Sequence, residues 1–309
     1  MHDVIVIGGG PAGLQAALTL GRVHRTVRLL DSGSYRNDPE GHMHNLIGHD
    51  GTPPAELRAA GLRDLAAYET VEVVQGTVAT VAGEAGDFVV TLDDGSRHPT
   101  RAVILATGMR DELPEVEGIS EAWGGGVAHC PFCHGHELSG GTIAVLGTTA
   151  GHLVHLSGFL RHLAERSIML TGLVEDLDDD CRKSLEAVGA EIVSSPIERV
   201  QKRGEGLSLV MTDGGRIDVD GLFIAPTATQ AASFVADLEL EVMPSGGIAI
   251  DTMGRTSIPG IYAAGDAAHH RELPVAMSAV GVALAAGLVA SSGAVADLMT
   301  AEREALLGG

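Results

Sequence analysis

The 309-residue chain carries a formal net charge of −21 and is 45% hydrophobic, whereas aromatic residues make up only 3%. This length suits about two domains of roughly 150 residues each. The acidic excess argues against nucleic acid partners, whose phosphates need Lys and Arg, and the scarcity of aromatic residues argues against base stacking. We therefore expect a protein of two domains that binds no nucleic acid.

The same sequence predicts a cytoplasmic protein without a membrane partner. No run of about 18 apolar residues suggests a membrane span. The first ten residues, MHDVIVIGGG, lack a basic region, and their apolar run leads straight into a glycine cluster, so they indicate a buried strand and not a secretory signal. Three cysteines, two of them in one CxxC, do not form a disulfide scaffold.

The chain opens with a predicted βαβ unit. DVIVI is a continuous apolar run typical of a buried parallel strand, LQAALTLGRV has helical spacing, and TVRLLD predicts a second strand. Between the first strand and the helix, GGGPAG contains the pattern Gly8-x-Gly10-x-x-Gly13, and Asp31 ends the second strand. This combination predicts dinucleotide binding, with the pyrophosphate at the helix N-terminus and Asp31 on the ribose hydroxyls. The motif alone leaves FAD and NAD open.

Further elements follow in a discontinuous order. VEVVQGTVATV and DFVVTLDDGSRH alternate like antiparallel strands around a DDG turn, and RAVILATG predicts another buried strand. A second strand, turn and helix begin at GTIAVLGTTAGHLVHL, a strand pair spans about 191–224, and residues 247–266 return to the first domain. An Ala-rich helix ends the chain. This order predicts an α/β protein in which one dinucleotide-binding domain is inserted into another.

Two later segments carry a family resemblance. RAVILATG places ATG at a strand end, and TSIPGIYAAGD places Asp266 after another strand. Here the chain resembles the flavoprotein disulfide reductases with two dinucleotide folds, and specifically the small thioredoxin reductases. The resemblance implies FAD, a homodimer and two Rossmann-like domains: an FAD-binding domain of residues 1–114 and 245–309, and an inserted NAD(P)-like domain of residues 115–244 that carries the CxxC.

The resemblance also implies which residues contact FAD. Asp266 would bind the ribityl–phosphate region, Asn45 would be a neighbour of the flavin, and Pro274, Val275 and Ala276 would start the helix that faces the flavin O2. The full predicted set is Gly8, Gly10, Pro11, Ala12, Gly13, Asp31, Ser32, Asn45, Val78, Ala106, Thr107, Gly108, Gly265, Asp266, Val275 and Ala276.

The CxxC lies in the stretch HCPFCHGHE, from His129 to Glu137. Cys130, Cys133 and a nearby histidine could ligate zinc, but structural zinc normally recruits a second ligand pair, and Cys181 has no partner motif. We therefore expect no metal. The redox alternative needs one thiol of lowered pKa and a second to resolve a mixed disulfide, which a CxxC at a helix start provides.

The residues around the CxxC narrow the resemblance. The small thioredoxin reductases usually carry Asp after the second cysteine, where this chain has His134. HCPFCHG matches the dithiol oxidases that close the disulfides of gliotoxin and holomycin. This resemblance implies that Cys133 exchanges electrons with the flavin, that Cys130 meets the substrate, and that His129 is the general base. His134 is the alternative base, because histidine titrates near neutral pH.

The second glycine turn predicts the direction of electron flow. It reads LGTTAGH, and of the glycines of a GxGxxG motif only Gly147 is in place. The acidic stretch EDLDDD follows the next strand, at the position where an Arg-rich stretch normally binds the 2′-phosphate of NADPH. Carboxylates there repel a phosphate. We therefore expect a dithiol oxidase for a small molecule, with O2 as electron acceptor and peroxide as product. The alternatives are a disulfide reductase driven by NAD(P)H or ferredoxin, a diverged NADH site, and a non-catalytic redox sensor.

Overall fold

The computed structural model describes residues 1–308, and Gly309, the last residue of the predicted FAD-binding domain, lies outside the described residues. The helices are α1 (Pro11–Arg22), α2 (Pro54–Leu65), α3 (Ile119–Ala122), α4 (Pro131–His134), α5 (Ala150–Leu163), α6 (Asp179–Ala187), α7 (Phe234–Asp237) and α8 (Val280–Gly308), with a 3₁₀ turn at Gly265–Ala267. The strands are β1 (His2–Ile7), β2 (Val27–Asp31), β3 (Val71–Gln75), β4 (Val78–Glu84), β5 (Asp87–Leu92), β6 (Arg97–Leu105), β7 (Met109–Glu112), β8 (Val127–Ala128), β9 (Thr142–Leu146), β10 (Arg166–Leu170), β11 (Glu191–Val193), β12 (Ile197–Arg203), β13 (Gly206–Met211), β14 (Arg216–Val219), β15 (Gly221–Ile224), β16 (Thr227–Gln230), β17 (Ile248–Ile250), β18 (Ile261–Ala263) and β19 (Ala268–His270).

The described chain forms two compact units. The first unit contains Met1–Asp38, Pro53–Arg110 and the chain from Ala228 onward, and the second contains Pro39–Thr52 and Asp111–Thr227. The two units divide after residues 110 and 227. The domain bounds at residues 114 and 244 stay a prediction. The segment 39–52 also packs with the second unit, because its residues contact the region around the CxxC.

The first unit is built on a twisted, mostly parallel sheet in the order β3-β2-β1-β6-β5-β4, and β18 also pairs with β6. Strands β1, β2, β6 and β18 run parallel, so their carboxyl ends meet at one edge. Helix α8 packs on α1, and Gly287 permits the close approach, since a Cβ there would lie 2.1 Å from the backbone oxygen of Ala12. This edge is where an open α/β sheet binds a ligand.

The second unit has its own parallel sheet in the order β11-β10-β9-β15-β8. Strands β12, β13 and β14 form an antiparallel layer whose turns lie at the KRGEG and TDGG segments. Apolar residues of both layers, including Leu146, Ile168 and Leu209, form a shared core. The prediction of an α/β chain with two Rossmann-like domains is thus confirmed.

Two local predictions were wrong. VEVVQ was predicted as an antiparallel strand, but β3 pairs parallel with β2, because the preceding helix α2 returns the chain to the same end of the sheet. Residues Pro274 to Ala276 were predicted to start the last helix, but α8 begins at Val280, and its first turn closes with the Ala283 N–H donating to the Ala279 carbonyl.

The C-terminal helix corrects the expectation about membrane-length segments. By length and composition, Val280–Gly308 is apolar enough to cross a membrane, although alanines and glycines interrupt the run of large side chains. The buried residues of α8 include Gly287, Ala290 and Ala294, which lie on the side that packs in the core of the first unit. A core helix passes the same test of length and composition, so the helix is weak evidence for a membrane.

Candidate active site

The turn between β1 and α1 brings backbone segments of the first unit very close together. Gly8 has a φ of +110°, and a Cβ at this position would lie 2.2 Å from the backbone oxygen of Ala106. A Cβ at Gly13 would lie 1.8 Å from the oxygen of Gly8. Any side chain would collide with backbone at these two positions, so the turn requires glycine at both.

The N-terminus of α1 is open above this turn. Gly10 caps the helix without a side chain, and a Cβ built there meets no atom of residues 1–308 within 4 Å. Pro11 has no N–H, so the first N–H groups of the helix belong to Ala12 and Gly13. Backbone N–H groups and the helix dipole make such an end a binding site for a phosphate.

Asp31 lies at the end of β2, beside the glycine turn. Its carboxylate accepts a hydrogen bond from the Gly9 N–H at 3.1 Å and another from the Tyr35 hydroxyl. The pKa of Tyr35 is raised by burial and by this bond to Asp31. The guanidinium of Arg58 lies 3.9 Å above the Tyr35 ring, and Ser32 is exposed next to Asp31. Tyr35 therefore holds the carboxylate that the sequence assigns to a ribose.

The strand ends of β6 and β18 complete this edge. Asp266 accepts a hydrogen bond from Arg36 at 2.7 Å, and about four fifths of each side chain is buried. The hydroxyl of Thr107 is buried and has no hydrogen-bond partner within residues 1–308, which is costly unless a ligand supplies one. Gly108 and Gly265 have positive φ values of +71° and +70°. The open helix end, the carboxylates and the unpaired hydroxyl fit a dinucleotide such as FAD.

The remaining predicted cofactor residues lie elsewhere. The side chain of Val78 is buried in the core of the first unit. Val275 and Ala276 are exposed in the irregular segment before α8. Asn45, with a φ of +61°, belongs to the segment 39–52 of the second unit, and its N–H donates to Asp50. The edge of the first sheet therefore gathers the GGGPAG turn, Asp31, the ATG turn and the Gly265–Asp266 turn. It does not include Val78, Val275, Ala276 or Asn45.

In the second unit, the CxxC forms the one-turn helix α4. Cys130 is its N-cap, and its carbonyl accepts hydrogen bonds from the N–H groups of Cys133 and His134 at 3.1 and 3.2 Å. The Cys133 side chain hydrogen bonds to the sulfur of Cys130, and this bond is the main reason that the pKa of Cys130 falls to about 6. Cys130 therefore has the properties of a nucleophilic thiol.

We expect Cys130 of the reduced protein to react with iodoacetamide with an inflection near pH 6, since the thiolate forms above its pKa and is the reactive species. Peptide mass spectrometry on samples quenched across a pH series would measure the rate at each cysteine. Cys181 is the internal control, because its hydrogen bond to Asp178 raises its pKa above the ordinary value. An inflection of Cys130 near the ordinary thiol pKa would contradict this assignment.

His134 has a defined acidic partner. Its Nε2 lies 2.8 Å from a carboxylate oxygen of Glu40, and the two side chains are 18% and 17% exposed. Burial lowers the pKa of His134, but the Glu40 carboxylate and the charge of Cys130 outweigh burial and raise the pKa overall. The other ring nitrogen, Nδ1, is buried and has no hydrogen-bond partner in the described chain.

His129 has different surroundings. Its ring stacks on that of Trp123, with 5.7 Å between centroids and 28° between planes. A second His–carboxylate contact joins the segment 39–52 to the end of the HCPFCHGHE stretch, because His44 Nε2 lies 3.5 Å from a carboxylate oxygen of Glu137. Within residues 1–308, no group of three or more His, Cys, Asp or Glu residues is placed to hold a metal ion. The structure thus places both predicted histidines beside the CxxC, His129 against Trp123 and His134 within hydrogen-bond distance of the Glu40 carboxylate.

The sequence profile of the pyridine nucleotide-disulphide oxidoreductases matches residues 2–287. The chain belongs to this family. It is 36% identical to "Thioredoxin reductase sirT" of Leptosphaeria maculans, over 95% of this chain and 93% of the relative. The proteins of this group are FAD-binding flavoproteins of the thioredoxin reductase type, so FAD is the cofactor of this chain and the chain is an oxidoreductase.

Solved structures support the same grouping. An oxidoreductase from Agrobacterium tumefaciens is 35% identical, covers 97% of this chain and 99% of its own, and gives a TM-score of 0.89. The crystal structure of HlmI is 32% identical, covers 99% of this chain and 97% of its own, and gives a TM-score of 0.85.

In this disulphide oxidoreductase, the second glycine turn differs from the first in a way that the sequence motif did not reveal. Thr149 caps α5, and its hydroxyl accepts a hydrogen bond from the His152 N–H at 3.2 Å. Burial and the neighbouring His155 lower the pKa of His152. Whereas α1 presents uncapped N–H groups, one of the first N–H groups of α5 is already bonded to a side chain.

The acidic stretch after β10 has a structural role as well. Asp178 caps α6 and accepts a hydrogen bond from the Cys181 N–H at 2.7 Å, and Asp179 and Asp180 lie in the first turn. Negative charge at this end of a helix is favourable. These carboxylates therefore stabilise α6, and they also give its first turn a negative charge.

Sequence reasoning missed the partners of the predicted residues. Glu40, Tyr35, Arg36 and Trp123 each contact a predicted site residue, but none of them belongs to a short motif. The segment PEGHMHNLIGHD, rich in His and acidic residues, was the available signal for Glu40. The Thr149 cap was visible as a Thr placed just before a helical pattern.

Proposed function

We propose that this protein is an FAD-dependent dithiol oxidase, which closes a disulfide in a small-molecule dithiol through the Cys130–Cys133 couple. In the proposed overall reaction, the dithiol loses two electrons and two protons, and O2 gains them as hydrogen peroxide. The observation that carries this proposal is the contrast between the open N-terminus of α1 and the N-terminus of α5, which Thr149 caps. A pyridine nucleotide needs the second of these ends.

The contrast supports the direction of electron flow. A pyrophosphate is held by unpaired N–H groups at a helix N-terminus, and in α5 the hydroxyl of Thr149 competes for the His152 N–H. The carboxylates of Asp178, Asp179 and Asp180 add repulsion for a 2′-phosphate. Binding of NADPH is therefore disfavoured. In the proposed reaction, electrons enter through the cysteine pair.

The proposed chemistry begins with a substrate thiol, deprotonated by His129, that attacks Cys130 of the oxidised couple. The new bond between substrate sulfur and Cys130 forms as the Cys130–Cys133 bond breaks, and Cys133 leaves as a thiolate. The second substrate sulfur then bonds to the first, and Cys130 leaves as a thiolate. When bound, FAD would supply the two-electron redox chemistry that links the cysteine pair to O2.

The residues proposed to hold FAD are those at the edge of the first sheet. Gly10, Ala12 and Gly13 would bind the pyrophosphate, Asp31 the ribose, and Asp266 the ribityl region. Tyr35 would have to yield its bond to Asp31 when a ribose hydroxyl arrives. We also propose that the protein is located in the cytoplasm. We propose that it forms a homodimer, and light scattering of the purified protein would test this assembly.

A disulfide reductase driven by NAD(P)H or ferredoxin is the second candidate, because the similar protein sirT is named a thioredoxin reductase. Anaerobic mixing with NADPH or NADH distinguishes the two candidates. We expect no fast loss of the visible flavin absorbance with either nucleotide, and fast loss with dithiothreitol. Aerobic turnover with a panel of small dithiols and reduced thioredoxin should produce peroxide. Rapid flavin reduction by a pyridine nucleotide would exclude the oxidase proposal.

A further inference from the structure

Two segments distant in sequence meet beside the CxxC. Glu40 and His44 come from the segment 39–52, and His134 and Glu137 come from the end of the HCPFCHGHE stretch. They form two His–carboxylate pairs, at 2.8 Å for His134–Glu40 and 3.5 Å for His44–Glu137. The segment 39–52 supplies the carboxylate of the first pair and the histidine of the second. The His134–Glu40 pair is the shorter, and more than four fifths of both its side chains is buried.

The contact with Glu40 determines which ring nitrogen of His134 is available. A carboxylate accepts hydrogen bonds, so the proton of a neutral His134 resides on Nε2, which faces Glu40. Nδ1 then carries the lone pair. This atom is buried and has no hydrogen-bond partner within residues 1–308. A proton accepted at Nδ1 would produce an imidazolium that the Glu40 carboxylate stabilises.

The redox couple lies next to this ring. Cys130 and His134 are four positions apart at α4, the His134 N–H donates to the Cys130 carbonyl at 3.2 Å, and the charge of Cys130 acts on the His134 ring. The groups that influence His134 electrostatically are Glu40, Cys130 and Glu137, and all three favour its protonated form. Glu137 also lies 3.5 Å from His44.

We propose that Glu40 is a positioning residue that orients His134 with Nδ1 as the proton acceptor of the Cys130–Cys133 couple, a role that deepens the proposed dithiol oxidation and rests on it. The substrate dithiol releases two protons while the two cysteine sulfurs gain its electron pair. One proton goes to His129, which meets the first substrate thiol. The second goes to Nδ1 of His134, leaving an imidazolium between the Glu40 carboxylate and the Cys130 thiolate.

The test is anaerobic single-turnover reduction of the flavin in the holoenzyme by dithiothreitol, followed across a pH series. Glu40→Gln should lower the rate constant about 100-fold at neutral pH, within the range for loss of general acid–base catalysis. The cause is that an amide can donate to Nε2 and shift the proton to Nδ1. Glu40→Asp keeps the carboxylate and should recover at least about tenfold of this loss. FAD content and melting temperature show whether each variant folds.

A double-variant cycle separates positioning from a merely structural role. His134→Gln alone should be as slow as Glu40→Gln, and combining the two should cause no further loss, because Glu40 acts through His134. Glu191→Gln, which removes a carboxylate from the exposed pair with Arg166, is the matched control and should react like the wild type. Losses that multiply in the double variant, or a Glu40→Gln protein with wild-type rate and pH profile, would overturn the proposal.

A second readout needs no flavin. Alkylation of Cys130 in the reduced protein should shift to higher pH in Glu40→Gln, because the imidazolium beside the thiolate is lost, and an unshifted profile would count against the proposal. Dithiothreitol reacts with the cysteine pair whether the natural reaction is an oxidation or a reduction. If turnover with O2 failed while these pH effects appeared, the proposed function would fall and the role of Glu40 would stand.

Discussion

Cys133→Ser is expected to lower peroxide-producing turnover of small dithiols by about 10³-fold or more, a loss typical of removing a residue that makes a covalent intermediate. Serine cannot form the disulfide that accepts the electron pair of the substrate. Its hydroxyl can still donate to the Cys130 sulfur, as the Cys133 side chain does in the structure. Cys130 should therefore remain a reactive thiolate while turnover is lost, and oxygen consumption together with alkylation by iodoacetamide measures both properties.

Cys181→Ser is the matched control for this experiment. Cys181 lies in α6, and its thiol has a raised pKa through the hydrogen bond to Asp178. Its replacement should leave turnover unchanged. Oxygen consumption by Cys133→Ser at a wild-type rate would exclude the cysteine couple as the path of the electrons, and would point to direct oxidation of the dithiol at the flavin.

Gly10→Asp is expected to abolish FAD binding without unfolding the first unit. A side chain at Gly10 meets no atom of residues 1–308 within 4 Å, and the extended backbone there suits Asp. As an N-cap, Asp should stabilise α1 by about a few tenths of a kcal/mol relative to Gly. It would also place a carboxylate where the pyrophosphate binds. One like-charge pair about 4 Å apart costs about 4 kcal/mol near a protein surface, which corresponds to about a 10³-fold loss of affinity.

Flavin content after purification and titration of the apoprotein with FAD would measure this loss. Circular dichroism of the apoprotein should give a melting temperature equal to or above that of the wild-type apoprotein. Gly10→Ala is the comparison variant, because it adds the Cβ without the charge and should lose less affinity than Gly10→Asp. If Gly10→Asp bound FAD like the wild type, the pyrophosphate would not lie at the N-terminus of α1.

The features predicted correctly from the sequence are those that local backbone chemistry requires. Gly8 and Gly13 are needed because a Cβ would strike the backbone, and this requirement is visible in the GGGPAG motif. The alternation of strand, turn and helix predicted both Rossmann-like domains. The start of α8 was misplaced, because the sequence between Pro274 and Val280 contains no local signal that delays the helix.

The candidate site was only partly predictable, because the spacing of residues shows which side chains are adjacent in sequence but not what each one contacts in the fold. The CxxC and its flanking histidines are adjacent in sequence, so their joint presence on one helical turn follows from their spacing. The choice between His129 and His134 as base could not follow from spacing, since it depends on what each ring contacts. His129 stacks on Trp123, whereas His134 pairs with Glu40.

The sequence by itself determined the α/β fold, the glycine turn of the first unit and the adjacency of the CxxC and its flanking histidines, because each depends on residues within one strand, turn or helix. Only the tertiary structure decided the partners: Glu40 for His134, Arg36 for Asp266, and Tyr35 for Asp31. Glu40 and His134 are 94 residues apart, and folding of the chain brings them within hydrogen-bond distance. Protonation at the cysteine pair depends on that contact, which no motif of neighbouring residues encodes.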